Sequence, residues 1–164
     1  YYEPFGMVNE FFLNGVSCIG RATGGIIQQI IPDQEAATYN SAVSSRSIRW
    51  HAKTSKPSGF LFRETDNIES ALEDWKAINA AEYDVDEPGS NRLASRKELQ
   101  LVKEISTEFC NCIMDAVDLY QTHRDDYYRF IINGAQHIIE NFSWDIAAKK
   151  YLMHIENIRL SNRH

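Results

Sequence analysis

The sequence predicts an α/β protein, with a parallel sheet of few short strands in its first half and a predominantly helical second half. Three observations predict it. Two short apolar runs, at 16–19 and Gly59–Phe62, have the length and apolar character of buried strands. Each is followed by an apolar stretch with helical spacing, which is the order of an α/β unit. Beyond residue 95 the apolar residues recur every three or four positions almost without interruption.

Taken in order, Pro4 and Gly6 make a turn, and residues 7–13 form a helix of about two turns that exits at Asn14-Gly15. Residues 16–19 form a buried strand ending at Gly20. Thr23-Gly24-Gly25 opens a helix over 26–31, which Pro32 stops. Residues 33–58, rich in Ser, Thr, Asn and Gln, read as one long loop, of the kind that is usually functional or mobile. After the strand Gly59–Phe62, Thr65 or Asp66 can cap a helix carrying Ile68, Leu72, Trp75 and Ile78 on one face. Residues 82–91 are acidic, contain Pro88-Gly89, and read as a loop or linker.

Ser95-Arg96-Lys97-Glu98 has the form of a capping box. Behind it Val102, Ile105, Phe109, Ile113, Ala116 and Tyr120 share one face of a long helix, and 125–139 make another. Ser143 caps the last helix, whose buried side is expected to carry Trp144, Ala148, Tyr151, Ile155 and Ile158. No internal repeat is present.

The chain has 164 residues, 43% hydrophobic and 24% charged, which suits one globular domain. A net charge of −6 argues against a nucleic-acid partner, because that needs clustered cations. No run approaches the ~20 apolar residues of a transmembrane helix. The three cysteines, Cys18, Cys110 and Cys112, are too few and too oddly placed for a disulfide framework, which points to a reducing, cytoplasmic setting. Cys110 and Cys112 are expected to serve packing rather than zinc. The opening Tyr1–Gly6 is no signal peptide; it reads as a strand end running into a turn, as if the chain begins inside a larger protein.

The chemistry concentrates in the first 25 residues. A glycine pair at a helix start leaves backbone amides free, so Thr23, Gly24 and Gly25 can hold a diphosphate without a lysine. Glu3 and Glu10 flank the preceding turn, and a carboxylate accepts two hydrogen bonds at once, which suits the vicinal hydroxyls of a ribose or hexose. Together they describe a site for a sugar nucleotide. Arg21, near the phosphate cradle, reads more plainly as a surface arginine. None of His51, His123, His137, His154 and His164 has partners at metal spacing, so each reads as a surface or internally bonded histidine. Trp75 and Trp144 read as core, and Trp50, beside Arg49 and His51, as a surface aromatic or a stacking platform for a sugar or base. No Gly-x-Ser-x-Gly or phosphate-loop lysine motif is present.

Glu3-Pro4-Phe5-Gly6, a helix closing at Gly15, a strand, and then Thr23-Gly24-Gly25 resemble the donor-site signature of glycogen and starch synthases. Gly59-Phe60-Leu61-Phe62 sits where that family has a glycine-led strand before a helix. Asn141-Phe142-Ser143-Trp144-Asp145, with Ala147, Ala148 and Tyr151, is similar to its C-terminal helix. The opening is also similar to fungal α-glucan synthases and, more loosely, to sucrose-handling transferases.

The resemblance implies the C-terminal portion of a retaining GT-B glycosyltransferase, a fold of two facing Rossmann-like halves in which the C-terminal half binds the donor. Residues 1–80 would be the α/β donor-site part, 81–110 an insertion and the start of a long helix, and 111–164 the C-terminal helices. By the same resemblance Glu3 is catalytic and contacts hydroxyls of the transferred hexose, with backbone amides near Phe5 and Gly6 on the same sugar. Glu10 holds the ribose, and Thr23, Gly24 and Gly25 bind the diphosphate. The implied donor is ADP-glucose or UDP-glucose and the acceptor an α-glucan or related glycan, with no metal and no other cofactor. The alternative is a non-catalytic GT-B-derived binding or scaffolding module.

Two departures stand out. Six residues separate Glu3 from Glu10 where the family has seven, and one residue of slip turns a helical side chain by about 100°. The family's arginine and lysine that grip the diphosphate lie upstream of the matched segment, as does its N-terminal acceptor domain with a glycine-rich loop and histidine, so the segment alone is expected to be inactive.

Overall fold

The computed structural model describes residues 6–52, 55–64, 68–83 and 89–161. In chain order it has α1 (Met7–Leu13), β1 (Cys18–Arg21), α2 (Ile26–Gln29), α3 (Ser41–Ser47) and β2 (Gly59–Phe62). Five helices follow: α4 (Ile68–Tyr83), α5 (Gly89–Glu98), α6 (Gln100–Thr122), α7 (Arg124–Phe142) and α8 (Trp144–Ser161). The protein is mostly helical, with a small α/β part whose two strands run parallel, Cys18 opposite Gly59 and Arg21 opposite Phe62. No helix among the described residues is long and apolar enough to cross a membrane.

The pleat sorts the core into two clusters. Cys18 and Ala22 from β1 and its exit, with Leu61 from β2, pack with Val8 and Phe12 of α1, Ile26, Ile27 and Ile30, and Ile138 of α7. Phe60 and Phe62 turn the other way, onto Cys112 and Ala116 of α6 and Phe130 of α7. Alternate residues of a strand face opposite sides, so this two-sided burial requires apolar residues throughout, as β2 has.

α1 closes as its sequence predicts. Gly15 sits at φ +74, and the amides of Gly15 and Val16 return to the carbonyls of Phe12 and Phe11, which satisfies the helix end. That closure uses Val16, so β1 begins at Cys18 rather than at Val16 and runs through Gly20 to Arg21. Gly20 is not the end of the strand; it admits the side chains of Ile26 and Ile30, which a Cβ would meet at 2.6 and 2.9 Å. α2 is one turn long, not the helix over 26–31 that the sequence suggests. Ile30 is already extended (φ −106, ψ 120), and Pro32 bridges to Gly59; a residue before proline disfavours helix.

The expected loop at 33–58 contains α3. Asn40 caps it, its side-chain oxygen accepting from the Val43 amide at 3.0 Å. The expected capping box is not one. Ser95 lies inside α5 and its hydroxyl donates to the Asn91 carbonyl, while Asp74 of α4 accepts the Leu101 amide at 2.7 Å and so caps α6 from a neighbouring helix. Of the expected loop at 82–91, residues 82–83 belong to α4 and 89–91 to α5, and the others lie outside the described residues. Thr65 and Asp66, the expected cap of α4, lie outside the described residues.

α8 departs most from expectation. Ser143 does accept the Ile146 amide, at 3.4 Å, but the apolar side of the helix is not buried: Trp144 is 91% exposed and Tyr151, Ile155 and Ile158 are also open. The helix packs against α7 and leaves that stripe outward. Cys112 is buried and Cys110 exposed, both as free thiols.

Candidate functional site

In an open parallel sheet the ligand-binding edge is the one where the strands end. Here both strands end level, and the Ala22 amide donates to the Phe62 carbonyl at 2.8 Å. The turn from Ala22 to Gly25 and the pair Arg63-Glu64 therefore leave the sheet side by side. α1 reaches the same end: the chain reverses at Asn14-Gly15, and Val8 in the first turn of α1 lines one cavity with Arg21 and Ile26.

The turn is a nest. Gly24 has φ +49 and Gly25 has φ −71 and ψ −20, and such an alternation makes successive amides converge. The Thr23 amide is spent on the Arg21 carbonyl at 2.7 Å, and the Thr23 side chain is buried. Among the described residues the amides of Gly24 and Gly25 have no hydrogen-bond acceptor. No Cβ at Gly25 would touch anything within 4 Å, so the space in front of it is open. Because α2 is a single turn, its dipole adds little; the concavity comes from the two glycines.

Beside the nest lies an arginine–glutamate–arginine cluster that the sequence reading did not single out. Arg21 forks onto both carboxylate oxygens of Glu64, its Nε at 2.9 Å from Oε2. The Nε of Arg63 lies 3.3 Å from Oε1 of Glu64, and its Nη1 donates to the Ala22 carbonyl at 3.3 Å. Trp75 stacks on Arg21, its ring centroid 5.3 Å from the guanidinium carbon. Burial would raise the Glu64 carboxyl, but the hydrogen bond from Arg21, its own backbone amide and the charges of Arg21 and Arg63 outweigh it, and the group is held below the usual carboxylate range. An arginine closing the first strand and an Arg-Glu pair directly after the second are the signal that could have located this cluster.

The expected site residues divide as follows. Thr23, Gly24 and Gly25 are brought together at the strand end. Gly6 is exposed at the start of α1 with open space around it. Glu10 is exposed on α1 and is not among the residues lining the cavity that Val8 and Phe11 share with β1. Glu3 and Phe5 lie outside the described residues. Arg21 is a half-buried ion-pair partner rather than a surface arginine. Trp75 is half-buried against it, and Trp144 is not core. Trp50 is exposed next to His51, whose Nε2 meets the Ile27 carbonyl at 2.6 Å, away from the glycine end of α2. His137 meets the Gln28 carbonyl in the same way, so both histidines are internally bonded.

The cavity along β1, about 390 Å³, is lined mainly by Val8, Phe11, Val16, Ile26, Phe62 and Phe109. It follows the strand edge left unpaired among the described residues, and its walls are too apolar for sugar hydroxyls. Among the described residues no group of three His, Cys, Asp or Glu side chains is arranged to hold a metal ion. Comparison with family models, with curated proteins and with solved structures finds no match to this chain.

Proposed function

We propose that the turn Thr23–Gly25 holds the diphosphate of a nucleoside-diphosphate sugar in the donor half of a retaining GT-B glycosyltransferase of the glycogen/starch-synthase type. The reaction is transfer of glucose from ADP-glucose or UDP-glucose to an α-glucan or related acceptor. One observation carries the reading: a glycine nest, two of whose amides have no acceptor among the described residues, stands at the carboxyl end of a parallel strand, beside the end of its neighbour. That is the place and the chemistry for a phosphate. The resemblance of Glu3-Pro4-Phe5-Gly6 and Thr23-Gly24-Gly25 to the synthase signature supplies the sugar and the acceptor. Glu3 acts at the hexose hydroxyls, Phe5 and Gly6 through their amides, and Glu10 at the ribose. The departing diphosphate is stabilised by amides and positive side chains without a metal.

The stripe of Trp144, Tyr151 and Ile155 left open on α8 favours a second reading, a non-catalytic module that binds a partner through that helix. Calorimetric titration with ADP and UDP separates the two. The donor-site reading expects binding that Gly24→Val weakens about tenfold, because a β-branched residue resists φ +49 and loss of the nest removes about 1.4 kcal/mol or more. Saturable glucosyl transfer from either labelled donor once an acceptor domain is supplied, with none by the segment alone, would complete the case. Absence of nucleotide binding to the folded protein sinks it.

A further inference from the structure

α8 draws little support from the rest of the chain. Of its residues only Ile146 and Ala147, next to the turn from α7, are half-buried, and every residue from Ala148 to Ser161 is exposed. A helix in a protein gains most of its stability by burying a face, and α8 buries almost none. What it leaves open is ordered. Trp144, Ala148, Tyr151, Ile155 and Ile158 are spaced four, three, four and three residues apart, the 3.5-residue repeat of a two-helix seam. α7 is the element on which α8 packs, so Ile146 and Ala147 mark the covered side. The seam lies about 100° round the helix from them and is clear of α7.

The charges beside the seam say what covers it. On the flank turned away from α7 stand Asp145, Leu152 and Arg159, spaced by one repeat. Asp145 and Arg159 lie seven residues before and after Leu152. Neither has an ion-pair or hydrogen-bond partner among the described residues. When two identical helices pair antiparallel, the same flank of each copy meets the other. A two-fold axis at Leu152 then sets each Asp145 opposite the other copy's Arg159, and leucine opposite leucine. Lys149 and Glu156, further out on that side, are again opposite in sign and related by nearly the same axis. The other flank carries Ala147, His154 and Ser161, with no Lys, Arg, Asp or Glu. A parallel pair sets one flank against the other and matches none of these charges. An unrelated partner would not require opposite charges at equal distances from one leucine.

We propose that α8 pairs antiparallel with α8 of a second copy of this chain, about a two-fold axis at Leu152. Trp144 is 91% exposed, Tyr151 73% and Ile155 50%, so most of the seam is available to a partner. With Leu152 it offers on the order of 500 Å² per copy, and a pair buries about 1,000 Å², the lower end of specific association. The expected dimer is therefore weak, with a dissociation constant of roughly 10 μM. The pairing is independent of the donor-site reading, since the turn Thr23–Gly25 takes no part in it.

Sedimentation equilibrium of the full chain from about 1 to about 500 μM tests this, with circular dichroism to verify folding. The wild type is expected to pass from monomer to dimer over that range, and Ile155→Asp to stay monomeric. Asp145→Arg and Arg159→Asp each set like charges together at both ends of the pair. Each is expected to weaken the dimer about tenfold. Combined in one chain they restore the opposite pairs, and affinity is expected to return to within about threefold of wild type. Only the antiparallel register predicts that recovery. In a Cys110→Ser background, which removes the exposed thiol, a short bismaleimide is expected to link Leu152→Cys into a dimer. Lys150→Cys, on the other side of the helix, is expected to stay unlinked. A wild type that remains monomeric throughout the range overturns the proposal and leaves α8 to a different partner. A dimer that Ile155→Asp does not weaken, or that the double reversal does not restore, overturns it as well. If Ile155→Asp does not fold, the cross-link at residue 152 decides, and its absence overturns the pairing.

Discussion

The ring of Phe12 lies so close to Gly134 that a Cβ added there would stand 2.3 Å from its Cδ1. Phe12 is 1% exposed, at the centre of the cluster that joins α1 to α7. Gly134→Ala must therefore move either the ring or the helix. Overpacking a filled core costs about 1–3 kcal/mol. Alanine recovers up to about 1 kcal/mol of helix propensity over glycine. The expected net is a loss of about 1–2 kcal/mol in urea unfolding, partly restored by Phe12→Leu in the same chain. A stabilised Gly134→Ala variant would show that propensity, not the close approach, governs this position.

Gly59 and Gly20 make a matched pair with different obstacles. A Cβ at Gly59 would lie 2.6 Å from the Cys18 backbone oxygen, while at Gly20 it would meet Ile26 Cγ2 and Ile30 Cδ1. Side-chain ends can rotate away and a carbonyl inside a strand pair cannot. Gly59→Ala is thus expected to destabilise by at least about 2 kcal/mol, and Gly20→Ala by clearly less. Equal losses in chemical unfolding would contradict this ordering.

How much of this was legible in the sequence follows from what each residue answers to. α1, β2 and the long helices α6 and α7 were readable, because periodicity and the glycine at position 15 act locally. The tight turn at Gly24 was readable for the same reason: positive φ is a property of one residue. α3 was missed because its signal is the single Asn40 cap in a polar stretch that has no apolar stripe. The box at Ser95–Glu98 misled because Asp74, 27 residues away, does the capping instead. Arg63 and Glu64 acquire their meaning only when β2 pairs beside β1, and long-range pairing is not written in spacing. The apolar spacing of α8 was real, but spacing cannot say whether a stripe is covered.

The three thiols should differ sharply in reactivity. Burial pushes Cys18 up to about 11 and Cys112 up to about 12, the second despite a hydrogen bond involving Thr38 that acts the other way. Cys110 is exposed on the opposite side of α6 from Cys112. Only the thiolate attacks a disulfide reagent. At pH ~8 one thiol per chain is expected to react within minutes, and the other two only after denaturant is added. Rapid labelling of two or three thiols in the folded protein would refute the packing of Cys18 and Cys112.

Acid should loosen the other end of α2. His51 and His137 stand 5.6 Å apart between ring centroids, and each meets a carbonyl of α2 through Nε2, Ile27 at 2.6 Å and Gln28 at 2.7 Å. A carbonyl only accepts, so Nε2 carries the proton in both rings. Nδ1 of His137 is then free to accept from the Asn141 amide at 3.1 Å. Burial lowers the His51 value below 6.5; the neighbouring His137 lowers it further, and the carbonyls of Ile27 and Ile30 offset only part of this. The folded state therefore takes up its proton less readily than the unfolded chain. Stability from this group is complete above 6.5 and is lost as pH falls from there through the lower folded value. The urea midpoint should hold from about pH 8 to 7 and decline toward about pH 5.5, with a shallower decline in His51→Gln, whose amide can still donate to Ile27. Identical pH profiles for wild type and His51→Gln would remove His51 as the cause.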